Sequence, residues 1–162
     1  MDFFKMLFQS CFILLVPVFL FNAVFYKKLP EMYQNRKWDN IPRVLDASEN
    51  ILRAVVFIIP VLLKISFESA MQKTGLLLYF AGMTVYFLSW IMQTNFPDTK
   101  WSRSCAGSTA PAYTTLIWFT GISLIGQELI INYNYVWIYY FSAVVCFVSV
   151  HTLHAFIVFR KK

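Results

Sequence analysis

Residues able to do chemistry gather in three places along this chain. The first is the stretch 95–115, NFPDTKWSRSCAGSTAPAYTT, a polar interruption between apolar runs. It combines Asp98, Lys100 and Arg103 with the hydroxyls of Thr99, Ser102, Ser104, Ser108, Thr109 and Tyr113. A guanidinium beside several hydroxyls suits phosphate or carboxylate, because its N–H fork gives directed, charge-assisted bonds. The second place is the start of an apolar run, where Asp46, Glu49, Asn50 and Arg53 share one helix face at i, i+3, i+4 and i+7. The third is the pair His151 and His154, at i and i+3 near the end of the last run.

Each place has a plainer account beside the chemical one. Asp46 followed by Glu49 reads as a capping box that starts a helix near Ala47. Arg53 would then pair with Glu49 one turn away or reach for the membrane interface, since an unpaired charge at depth is costly. Two histidines without a third ligand are a weak metal signal, so no metal is assigned. A hydrogen-bonded polar wall or a proton-transfer role fits His151 and His154 better. Three cysteines, Cys11, Cys105 and Cys146, make an odd set, and two lie inside apolar runs. No disulfide is expected. Cys105, beside Arg103, is the one candidate reactive thiol.

Helices long enough to cross a bilayer must position these groups. Of the 162 residues 59% are hydrophobic, 19% aromatic and only 14% charged. Mean hydropathy is +0.58, a membrane composition. The apolar blocks approach the ~20 residues that a helix needs to span the hydrocarbon, without the alternation of a β-barrel. The fold expected is an all-α, polytopic integral membrane protein, with about five helices in one bundle over 3–26, 47–67, 74–93, 111–132 and 135–159. Pro17 should kink the first span, and Pro111 fits the first turn of the fourth, capped by Ser108 or Thr109. Gly75, Gly82, Gly121 and Gly126 read as close-packing positions. The loop after Lys27, with Tyr33 and Trp38 among charges, suits a segment lying at the headgroup level. No repeat or linker divides the chain, so 1–162 is read as one domain.

The net charge of +6 reflects topology rather than nucleic-acid binding, because the bases are scattered over membrane-flanking loops. Of the fourteen bases only Lys5, Lys64 and Lys73 fall on one side of a five-span arrangement. The other side carries the rest, which makes it cytoplasmic, with the N-terminus outside and the C-terminus inside a plasma (inner) membrane. The 95–115 stretch, the Asp46–Arg53 face and the end of the last helix then share the cytoplasmic side.

The function expected is binding of an anionic amphiphile or lipid head group by a cytoplasm-facing site. Its residues are drawn from Glu49, Asn50, Arg53, Lys100, Ser102, Arg103, Ser104, Ser108, Tyr113, His151 and His154. Membrane lipid is the expected partner and no cofactor is named; a homo-oligomer stays open. An alternative is a membrane transferase acting on a lipid-like substrate. The polar loop that leads through Ala110-Pro111-Ala112-Tyr113 into a late helix resembles the isoprenylcysteine and phospholipid methyltransferases, whose corresponding motif is Arg-His-Pro-x-Tyr. Pro111 and Tyr113 match, whereas Thr109-Ala110 stand in place of Arg-His, so no cofactor-binding residue carries over. A further alternative is a non-enzymatic transporter subunit, immunity protein or assembly protein.

Overall fold

The structure is a computed structural model describing residues 7–25, 42–131 and 137–160. Among these the chain is helical. A 3-10 turn, Cys11–Leu15, runs into α1 (Val16–Phe25) and is followed by α2 (Arg43–Leu62) and α3 (Ala70–Asn95). The single-turn α4 (Lys100–Arg103), α5 (Cys105–Tyr113), α6 (Thr115–Ile125) and α7 (Trp137–Arg160) complete it. The loop after Lys27 and the turn expected at 132–134 lie outside the described residues.

Among the described residues two helices, α3 and α7, are long and apolar enough to cross a membrane. The other expected spans take a different form. The first is a 3-10 turn joined to a ten-residue helix, with Pro17 in the first turn of α1, where its missing N–H costs little. The second begins at Arg43 rather than Ala47. Asp46 sits in its first turn, where the helix dipole favours an acid, and no side chain caps it. The third starts earlier than expected, at Ala70, because Ser69 and Gln72 form a reciprocal capping box. The fourth is broken at Thr114, and its cap is Ser104, not Ser108 or Thr109. Pro111 accordingly lies inside α5 rather than in its first turn.

One end of the molecule is tied by backbone bonds between three distant segments. Cys11 N donates to Leu63 O (2.8 Å), Ile65 N to Gln9 O (2.9 Å), Lys64 N to Glu128 O (2.8 Å) and Ile130 N to Leu62 O (2.9 Å). These bonds satisfy backbone that leaves a helix within an apolar setting. The Gln72 side chain adds a bond to Ile125 O (3.4 Å), bringing the start of α3 to the same end. Arg43 and Asn95, the far ends of α2 and α3, therefore lie at the opposite end.

Helices α3 and α6 pack with their backbones in contact, and glycine makes this approach feasible. A Cβ on Gly82 would lie 2.4 Å from Trp118 N, and one on Gly121 would lie 2.6 Å from both Gly75 O and Tyr79 N. Gly126 packs against the Leu63 side chain. Hydroxyls in the apolar helices bond back to carbonyls one turn away, as Thr120 does to Leu116 O (2.6 Å) and Ser123 to Phe119 O (2.9 Å). The outward faces are apolar: Ile51 and Ile58 on α2, Leu77, Phe80 and Leu88 on α3, and Leu153 on α7 are all exposed.

Helix α7 runs antiparallel to α2, since His154 meets Glu49 near the start of α2 while Tyr140 meets Val56 further along. Pro60 lacks the N–H that would bond Val56 O, four residues back. The Tyr140 hydroxyl donates to that carbonyl instead (2.8 Å). Tyr79 donates likewise to Leu14 O (2.7 Å), three residues before Pro17.

Candidate functional site

Glu49 projects from the second turn of α2 into the packed interior and is 2% exposed. It is the one buried acid among the described residues. A carboxylate is tolerated there only if its lone pairs are taken up by donors. Oε1 accepts from Arg53 Nη2, one turn along α2, and from His151 Nδ1 at 2.9 Å. Oε2 accepts from His154 Nδ1 on the same face of α7. The expected pairing of Glu49 with Arg53 is thus formed, and the cap expected of Glu49 is not. Its carboxylate turns toward the two histidines instead of back to its own backbone.

A carboxylate facing Nδ1 sets the tautomer of a neutral imidazole with the proton on Nδ1 and a lone pair on Nε2. The His151 ring stacks on Phe147, with centroids 5.3 Å apart and planes at 9°, which holds its orientation. Arg53 keeps 45% of its side chain exposed, and its second terminal nitrogen reaches Asn50 Oδ1 at 3.5 Å. It therefore retains N–H groups for another acceptor.

These groups form the polar pole of a cavity of about 510 Å³ that all the longer helices line. Phe19 and Asn22 come from α1, Phe57 from α2, Tyr86 and Trp90 from α3, and Trp118 and Phe119 from α6. Ser108, Pro111 and Ala112 bring part of the 95–115 stretch to the wall. Asn22 Oδ1 accepts from the Tyr86 hydroxyl (3.4 Å). The indole N–H of Trp118 is buried without a partner among the described residues, a donor left over on the wall of a cavity.

Lys100, Ser102, Arg103, Ser104 and Tyr113 are not among the residues lining this cavity. Arg103 is 67% exposed and pairs with Asp98. Ser102 is buried and donates to Met92 O (3.1 Å), while Ser104 caps α5 through Gly107 N (3.0 Å). The Tyr113 hydroxyl donates to Ala106 O (3.2 Å). The loop's polarity is thus largely used in starting and joining two short helices. No group of three or more His, Cys, Asp or Glu suited to a metal occurs among the described residues. In Glu49, His151 and His154 the nitrogens face the carboxylate oxygens directly.

Asn22, Tyr86, Trp90 and Trp118 are cavity residues that sequence reasoning passed over. Tyr86 and Trp90, at i and i+4 in an apolar helix, carried the only local signal, a polar edge on one stripe. Comparison with protein-family models, curated proteins and solved structures finds no match.

Proposed function

We propose that this chain is a polytopic membrane protein whose cavity holds an anionic amphiphile, with the head group at Arg53 and the tail among the aromatic walls. The observation that carries this reading is the cavity of about 510 Å³ with one donor-rich pole. Its size lies within the ~300–1,000 Å³ common for small-molecule sites, which pair mainly apolar walls with a few placed polar groups. The sign of the head group follows from bond accounting. Three donors, Arg53, His151 and His154, already occupy the Glu49 carboxylate, which leaves little acceptor capacity for a cationic head. An acceptor head instead meets the spare N–H groups of Arg53.

The membrane setting draws support from α3 and α7 and from the apolar outward faces of α2, α3 and α7. In a five-span arrangement the excess of bases around Arg43, Lys100 and Arg160 puts that end in the cytoplasm. Arg53 and the head-group pole would then lie toward the cytoplasmic side.

The test is ligand retention. Wild type and Arg53→Leu would be purified in a mild non-ionic detergent, and bound molecules identified by native mass spectrometry. Wild type is expected to carry an anionic amphiphile that Arg53→Leu loses while remaining folded. Equal retention by both proteins would overturn the assignment of the head group to Arg53.

A further inference from the structure

With both imidazoles neutral, the polar pole carries no net charge before any ligand arrives. Glu49 and Arg53 cancel, and the two imidazoles add nothing when neutral. His151 is the imidazole placed to respond. Its Nδ1 is committed to Glu49, its ring lies against Phe147, and no other described residue bonds it. The ring lines the cavity, and its Nε2 makes no bond to a described residue. A lone pair repels an anionic head group, whereas an N–H at the same atom would bond it. Arg53 Nη2 and His151 Nδ1 bond the same Glu49 oxygen, which holds the two side chains side by side at the polar pole.

We propose that the cavity binds its anionic amphiphile together with one proton, which His151 takes up at Nε2. This rests on the binding reading above and deepens it. The proton comes from solution and forms one N–H bond. No bond in the ligand breaks, and the anionic head group balances the resulting imidazolium, since Glu49 is already balanced by Arg53. Among the described residues, the other titratable groups facing the cavity are Glu49 and Arg53 from α2, His154 from α7 and Tyr86 from α3. Glu49 and Arg53 are already paired as ions, and Tyr86 has no proton to gain near neutral pH. His154 is the competing acceptor, and variants separate it from His151.

The probe is decyl sulfate, ionised at every pH used, added at low mole fraction to the full-length protein in non-ionic detergent. Titration calorimetry in PIPES and in Tris, buffers of different ionisation enthalpy, counts protons taken up per ligand. Wild type is expected to take up as much as about one proton per ligand, with affinity falling by up to about tenfold per pH unit where the uptake is greatest. Decanol, uncharged and of similar length, should cause no uptake. Whatever affinity each variant retains, His151→Gln should lose both the uptake and the pH dependence, and His154→Gln should still take up the proton. Binding of decyl sulfate without proton uptake overturns this inference and leaves the binding reading intact. Failure of the probe to bind wild type overturns both. Uptake lost in His154→Gln but kept in His151→Gln moves the proton to the wrong residue and refutes the assignment. The pH dependence of wild type stands as a measurement even if a variant fails to fold.

Discussion

Replacing Glu49 with glutamine probes the centre of the site with the smallest change of shape. The carboxylate is 2% exposed and accepts from three donors, Arg53, His151 and His154. An amide keeps one acceptor oxygen and turns the other position into a donor that faces an N–H. Breaking a buried ion pair by removing one partner costs about 3–5 kcal/mol. The lower end applies, because the half-exposed Arg53 regains water and a neutral imidazole can change tautomer. About 3 kcal/mol in a chain of this size lowers Tm by roughly 6–12 °C. The assay is thermal unfolding in detergent, followed by tryptophan fluorescence, for wild type, Glu49→Gln, Arg53→Leu and the double variant. Residues sharing one network should not behave additively, so the double variant should lose less than the sum of the singles. A Tm for Glu49→Gln within about 2 °C of wild type, or strictly additive losses, would mean that the carboxylate is not the hub described; the expected shift is several times larger.

Three further outcomes follow from the packing and the loop. Tyr140→Phe strands the Val56 carbonyl that Pro60 cannot serve, at a cost of about 1–3 kcal/mol. In a Pro60→Ala background the restored N–H should shrink that cost, and an equal cost in both backgrounds would show that the hydroxyl does not replace the missing backbone bond. Gly82→Val places side-chain carbon against the Trp118 backbone and should separate α3 from α6, seen as loss of the folded peak in size-exclusion chromatography; unchanged yield and Tm would count against the close crossing. Arg103→Lys and Arg103→Ala change an exposed pair with Asp98, so stability should move by less than about 1 kcal/mol and retained ligand should not change. Loss of ligand in Arg103→Ala would return the head group to the 95–115 loop.

Local reasoning reached far along single helices. The apolar runs, the helix face shared by Glu49 and Arg53, and the spacing of His151 and His154 follow from periodicity, because neighbours three and four residues apart on a helix must share a side. Helix ends were harder to read. Asp46 and Glu49 have the spacing of a capping box yet form none, while Ser69 and Gln72 do. A carboxyl side chain can serve a cap or a distant donor with the same local sequence, so spacing does not choose between them. The 95–115 loop misled for a related reason. Ser102, Ser104 and Arg103 are the residues a ligand site would use, and they are also the residues that start, stop and solvate short helices.

The meeting of Glu49 with His151 and His154 spans 102 and 105 residues of chain, and nothing local encodes it. It depends on α7 packing antiparallel to α2 at one register, supported by the Tyr140 bond beside Pro60 and by the tied end of the bundle. The sequence by itself determined the helical, apolar character of the chain and which ionisable groups share a helix face, since both follow from short-range spacing. Only the tertiary structure decided that the two faces converge on one buried carboxylate, because the free energy of that contact comes from desolvated partners supplied by another helix.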